Sequence, residues 1–331
     1  MQAKWWYVNP NLIDGYGSLL PPSTPMADGN QRYFRDANKL RLTVEGAWVR
    51  DDKDGWPKGS NDLVIASRFR IGKKPPITKL HLYRPDVPEK TWEPVAFHPE
   101  IFATNDFRES DGEIALQLNI YDEDGLRDDA QQQLNQALDG STSAFALAFP
   151  VFAPYASLTA GVGRAMAALV DKLDEHDELI KGKIRLSVNK PANQPFDHLQ
   201  PGLLVCFASS VDASSLLLGS DRKIYYQDQG THKLYQEKSY CVIRIDRDGP
   251  SAPEFEINQS MATLLTEIEL GKGSKGTQAL VHLRETLEAY TTFKRLKRHN
   301  ELQGKASRSE EENQLLDELK SDPKLAPYIG S

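Results

Sequence analysis

From Leu40 to Asp246 the chain is cut into short segments, apolar or strictly alternating, by clusters of turn residues, and this spacing predicts antiparallel sheets. Leu40, Leu42 and Val44 alternate with Arg41, Thr43 and Glu45, the period of a strand with one buried face. Gly46 then reads as a bulge. Further strands are expected at Leu63 to Ile71, Ile77 to Tyr83, Glu113 to Tyr121, Ile180 to Val188, Leu203 to Ser209, Lys223 to Tyr226 and Leu234 to Asp246. Two helical insertions interrupt them, near 128–138, where Asp128 and Asp129 suit a helix start, and near 155–174.

Flanking this region are two segments of different character. Residues 1–38, rich in Pro, Gly, Asn and Asp beyond Val8, read as an extended arm lying over the first domain. At the other end, Asp248-Gly249-Pro250-Ser251-Ala252-Pro253 is a breaker cluster, after which helical periodicity takes over. One helix is expected from Asn258 to Gly271. A longer one carries Leu280, Leu283, Leu287, Tyr290, Phe293 and Leu296 as a single stripe, and a third opens on the capping box Ser309/Glu312 and buries Leu315, Leu316 and Leu319. The fold class is therefore α+β: a C2-like or Greek-key sandwich over 39–248, then a small helical domain over 254–331.

With 331 residues, 26% charged and a net charge of −7, the chain is long enough to bury a substantial core and too acidic overall to attract nucleic acid or anionic lipid in bulk. The start Met1-Gln2-Ala3-Lys4-Trp5-Trp6-Tyr7 lacks the features of a secretory signal, which points to the cytoplasm. Cys206 and Cys241, each inside an apolar segment, are then expected as reduced core thiols.

Two acidic loops directly follow strand segments: Asp51, Asp52 and Asp54 before Gly55, and Asp122 and Asp124 before Gly125. Calcium needs six to eight oxygen ligands, and carboxylates from two loops at one end of a sandwich supply that chemistry, with magnesium as the other hard cation. In this architecture the region resembles a calcium-binding sandwich of the C2 type. Neither loop has EF-hand spacing, and the first reading of an Asp-Gly pair is a turn.

Other constellations carry less. The 24 residues from Gly140 to Gly163 contain no charge, but Pro150, Pro154 and several Ser and Thr make them a buried core segment before a membrane-inserting one. Lys294, Arg295, Lys297 and Arg298 end the long helix, where cations complement its dipole and offer a partner-binding surface. Gly271 to Thr277 lacks P-loop spacing, and the seven histidines form no zinc motif. No nucleophile elbow or dinucleotide fingerprint is present, so no catalytic residues or bound cofactor are assigned.

The function expected from these features is a non-enzymatic interaction or adaptor subunit with a protein partner. Trp56 and Trp92, in turn-rich stretches, are its candidate interface anchors beside the basic helix end. The alternative is a calcium- or magnesium-dependent module or hydrolase built on the acidic loops. A weaker one is a membrane-active effector using 140–163.

Overall fold

The strand segments stack as three mainly antiparallel layers. The computed structural model describes residues 2–12, 14–25, 34–50, 61–73, 77–96, 99–122, 178–188, 197–227, 231–248, 289 and 292–329. A central sheet contains β1 (Gln2–Val8), β11 (Gly202–Asp212), β15 (Tyr240–Asp246), β3 (Leu40–Val49) and β6 (Thr91–Pro94) in that order, with β7 (Glu100–Thr104) also paired to β3. One face meets a five-stranded sheet, β10 (Asp197–His198), β9 (Glu178–Ser187), β8 (Glu113–Asp122), β4 (Asn61–Ile71) and β5 (Ile77–Val87). The other meets a four-stranded sheet, β14 (His232–Leu234), β13 (Ile224–Gln227), β12 (Leu216–Gly219) and β2 (Tyr16–Ser18). The single parallel pair among these is β9 with β10.

Because the central sheet is covered on both sides, successive residues of its strands enter different cores. Leu204 and Cys206 of β11, and Cys241, Ile243 and Ile245 of β15, face the five-stranded sheet. Their neighbours Leu203, Val205, Phe207, Tyr240 and Val242 face the four-stranded sheet. A strand buried on both faces has no polar side to show, so it appears in the sequence as a continuous apolar run. Both cysteines are free and buried, as expected for core thiols.

The first strand was not foreseen. Regular structure begins at Gln2, and Trp5 and Tyr7 enter one core while Trp6 and Val8 enter the other. Residues 2–8 are thus an integral strand paired with β11 and not part of a draped arm, because their aromatic run carries no alternation to distinguish a strand from an anchor. The expected strand at 234–246 is in fact two, β14 and β15, separated by a turn.

The bulge expected at Gly46 is present. Val44 pairs with Ile243 and Gly46 with Val242, so Glu45 is the extra residue of β3. This inserted residue resets the alternation, and Ala47 and Val49 face the same core as Leu40, Leu42 and Val44. Here β3 also exchanges neighbours, pairing with β7 through Thr43 and with β6 from Gly46. A Cβ at Gly46 would lie 2.4 Å from the Glu93 carbonyl oxygen, which is why the bulge uses glycine.

At the carboxyl end, helix α1 (292–303) and helix α2 (Glu310–Lys320) pack through Leu302, Leu315, Leu316 and Leu319, with Leu325 beyond α2 in the same cluster. The capping box forms as read: Ser309 Oγ accepts from the Glu312 amide at 3.2 Å, and a Glu312 carboxylate oxygen accepts from the Ser309 amide at 3.1 Å. Ala37 completes this small core, and Lys39–Glu318 (2.8 Å) and Arg298–Asp106 (2.8 Å) join the helices to the β-rich part.

Candidate functional site: an arginine-lined groove

Glu45, lifted out of the ladder by the bulge, does not point into solvent. Its Oε1 accepts from Arg244 Nε at 2.7 Å and its Oε2 from Arg244 Nη2 at 2.9 Å, a fork-to-fork pair. Arg222 Nε adds a third bond to Oε2 at 3.0 Å. Arg244 comes from β15, beside β3, whereas Arg222 comes from the β12–β13 turn of the four-stranded sheet. That turn holds Arg222 at φ 68°, a left-handed conformation unfavourable for a side-chain-bearing residue. Its Nη1 also donates to the Ser220 carbonyl at 3.2 Å.

The two arginines line a groove of about 400 Å³, Arg244 from the central sheet and Arg222 from a turn of the four-stranded one. Pro10, Asn11 and Leu12, where the chain leaves β1, and Pro201, Gly202 and Leu203, where it enters β11, line it too. Ile245, Asp246 and Arg247 complete the lining. Glu45 is bonded to both arginines and so restrains them. Asp246 is itself bound by Arg41 at 3.3 Å, and Arg41 also pairs with Asp248. Three guanidinium groups and one carboxylate thus line the groove. Counting Glu45, Arg41, Asp248 and Glu311, which acts on Arg247, four cations face four anions.

Burial works to raise the Glu45 pKa, but hydrogen bonds and charge from Arg244 and Arg222 outweigh it and hold the carboxyl below its ordinary value. The same Glu45 bonds push Arg244 upward. Burial lowers the pKa of Arg247, with the charge of Glu311 opposing; its guanidinium lies 5.5 Å from the centre of the Phe34 ring. The Glu45 shift has a consequence for stability. A depressed carboxyl pKa contributes stability in full above the unfolded value of about 4.3 and loses it as pH falls through the lower folded value. The difference in Tm between the natural protein and Glu45→Gln should therefore be constant above about pH 5 and shrink progressively below about pH 4. A difference independent of pH from 3 to 7 would contradict this account of the cluster.

Chemically the lining offers guanidinium donors, which suit the oxygens of an anion. Among the described residues that line it there is no serine, cysteine, histidine or lysine to act as nucleophile or proton carrier. A Ser67 Oγ–His81 Nε2 pair at 2.7 Å exists elsewhere, between β4 and β5, but its residues are 1% and 2% exposed. It is closed to substrate and serves as a satisfied polar contact in the core.

The residues singled out in the sequence are placed as follows. Asp51, Asp52, Asp54, Trp56 and Asp124 lie outside the described residues, as do the helical insertions near 128–138 and 155–174, the uncharged stretch 140–163 and the helix expected from Asn258. Asp122 is the last residue of β8. Among the described residues there is no group of three or more histidines, cysteines and carboxylates able to hold a metal, and no helix long and apolar enough to cross a membrane.

Trp92 lies opposite Trp48 in the β3–β6 ladder with its ring 6.3 Å from that of Tyr240, so it covers the second core. Of the basic residues in α1, Lys297 is exposed and Lys294 half-buried, whereas Arg295 pairs with Asp322 at 2.6 Å. Arg298 is buried against Asp106 and Glu301, where it secures the helix. Burial raises the Asp106 pKa against the opposing charges of Arg298 and Arg108.

Glu45, Arg222 and Arg244 were missed because they are far apart in sequence and each has an ordinary local context. The available signal was a charged residue at an interior strand position: Glu45 before the bulge glycine, and Arg244 between Ile243 and Ile245. No protein-family model matches the chain, and no curated protein matches it in sequence.

Proposed function

We propose that the chain is a non-catalytic interaction module, an adaptor or subunit of a larger intracellular assembly, whose groove receives an acidic segment of a protein partner. The observation that carries this reading is the pair Arg222 and Arg244, oriented by Glu45 at a groove with apolar walls. Arginines held in place by a carboxylate lose less freedom on binding than free surface side chains, and arginine is enriched among residues that dominate interface energies. A cytoplasmic setting belongs to the same proposal and is supported by the two free, buried cysteines.

The test is affinity capture from the native lysate with the full chain and with Arg244→Ala, each with calcium and with a chelator. Retention of a stoichiometric partner by the natural chain, weakened about 10- to 100-fold by Arg244→Ala, is expected in both arms, a change of about 1.4 to 2.8 kcal/mol. Equal retention by the variant would remove the groove from the interaction.

One observation favours a second reading. Leu63 lies opposite Asp122, so the strand entered after residues 51–60 and the strand left before 123–125 meet at one end of a sheet. A calcium- or magnesium-dependent module using Asp51, Asp52, Asp54, Asp122 and Asp124 fits that register, and capture in the calcium arm alone would put it first. As to topology, the pairings β1–β11 and β15–β3 between strands distant in sequence support a Greek-key arrangement. The division into a β-rich unit through 248 and a helical unit from 254 belongs to the same proposal.

A further inference from the structure

We propose that the outer face of the five-stranded sheet is a docking surface separate from the groove, and that it receives an extended run of acidic residues of a protein partner. Burial alternates along these strands. In β9, Ile180, Ile184 and Leu186 enter the main core, and Lys181, Lys183 and Arg185 are exposed on the opposite face. In β4, Phe69 and Ile71 enter the core, and on the outer face Arg68 is exposed and Arg70 half-buried. Between them runs β8, which presents Ala115 and Gln117 on that face. Arg68 pairs with Gln117 and Gln117 with Lys183; Arg70 pairs with Ala115 and Ala115 with Arg185. Neighbouring strands stand about 4.8 Å apart, and residues two apart on one strand about 6.7 Å. The cations therefore form two rails roughly 9.6 Å apart, with shorter neutral side chains between them.

Charge is the second argument. Arg70 is held by Glu113 at 3.3 Å, and Lys181 has an interaction of its own, so neither is counted. Arg68, Lys183 and Arg185 have no ion-pair partner among the described residues. The next acid in these rows, Glu178, sits opposite Tyr121, four residues along β8 from Gln117. That is about 13 Å, beyond the screening length of about 8 Å at physiological salt. Protection of a sheet edge by lysine explains only β9, which β10 covers at Leu186 and Ser187 alone; Arg68 lies on β4, an interior strand between β8 and β5. An extended peptide sends successive side chains to alternate sides, each side repeating every 6.7 Å or about that. Laid along β8, consecutive aspartates or glutamates meet Arg68 and Arg70 on one side and Lys183 and Arg185 on the other. Self-repulsion keeps such a run extended before it binds, so docking orders it little. Single-stranded nucleic acid wants aromatic faces for its bases, and Tyr121, the aromatic residue of β8, is 6% exposed. A bilayer presents a plane of negative charge that also meets the remainder of a chain of net charge −7, whereas a peptide lies between the rails.

The probe is a fluorescent oligoglutamate peptide, titrated by anisotropy into the full chain, with single-stranded oligothymidylate and vesicles of phosphatidylcholine and phosphatidylserine in parallel. The proteins compared are the natural chain, Arg68→Gln, the double variant Lys183→Glu/Arg185→Glu, Arg244→Ala, and Lys297→Glu as an exposed control on α1. The peptide should bind the natural chain more tightly than the other two probes. Its affinity should fall at least about tenfold in the double variant and about threefold in Arg68→Gln, and stay unchanged in Arg244→Ala and Lys297→Glu. Raising salt from about 0.1 to about 1 M, which shortens the screening length from about 10 to about 3 Å, should also weaken it at least about tenfold.

No binding of the peptide, or binding that survives the double variant, would overturn the proposal. Loss on Arg244→Ala with retention by the double variant would move the probe to the groove, overturning this surface and leaving the groove reading in place. Because Arg244→Ala tests the groove and the β9 pair tests the sheet face, either reading can fail alone. Tighter binding of oligothymidylate or of vesicles, lost in the same double variant, would overturn the assignment of this face to an acidic protein segment. Should the double variant show no cooperative thermal transition, Lys183→Gln and Arg185→Gln, made singly, carry the comparison.

Discussion

Removing residues 1–9 should abolish folding of the entire β-rich part. This deletion takes away β1, and with it Trp5 and Tyr7 from one core and Trp6 and Val8 from the other, side chains that are 7%, 2%, 3% and 0% exposed. Burial of a large apolar side chain stabilises by about 1.5 to 3 kcal/mol, so four of them contribute roughly 6 to 12 kcal/mol. That matches the entire stability of an ordinary domain, about 5 to 15 kcal/mol. The deletion also removes the hydrogen bond from Tyr7 Oη to the Pro201 carbonyl (2.7 Å) and exposes the edge of β11, a template for aggregation. The expected readouts are loss of the cooperative thermal transition and of near-ultraviolet circular dichroism. Trp6→Ala is the graded version, with a loss of about 3 to 5 kcal/mol. A truncated chain that melts cooperatively within a few degrees of the natural one would show that the first strand only lies against the surface.

The second large effect is expected at Gly182, in the middle of β9. Its Cα faces the central sheet at a point where a Cβ would stand 2.3 Å from Cys206 Sγ and 2.7 Å from Trp5 Cζ2. Neither neighbour has room to retreat: Cys206 is fully buried and Trp5 is 7% exposed, both inside the main core. Interiors are packed as densely as organic crystals, so an added methyl group must separate the sheets or force a rotamer change. Gly182→Ala should cost about 2 to 3 kcal/mol, and Gly182→Val more. Replacing Cys206 by alanine in the Gly182→Ala background relieves the closer of the two contacts. A double-mutant cycle from equilibrium urea unfolding should therefore show favourable coupling of about 1 kcal/mol or more between the two changes. Additive effects, or a Gly182→Ala variant as stable as the natural protein, would mean that the sheets are not in contact there.

These two positions mark where sequence reasoning reached its limit. Alternation announced β8 and the first half of β3, and the capping box at Ser309 and Glu312 marked the start of α2 correctly. The strand β1 escaped because its short aromatic run shows no alternation and was read as part of the arm. The short strands β2, β10 and β12 escaped because two to four residues are too few to show a period at all. Trp92 and Arg298 read as surface groups by composition, yet tryptophan covers a core and a buried arginine pairs with Asp106, since burial is decided by what packs above a residue.

By itself the sequence determined the strand-then-helix order, the bulge at Gly46, the burial of the two cysteines and the start of the last helix. Each of these follows from interactions within a few residues, or from the polarity of a segment, and so is written locally in the chain. Tertiary structure alone decided that there are three layers and that the first strand belongs to the middle one. It also brought Arg222 and Arg244 onto Glu45 across 177 and 199 positions of chain. Long-range pairing depends on which surfaces bury each other best, a comparison among all strands at once, and no local pattern of residues records its outcome.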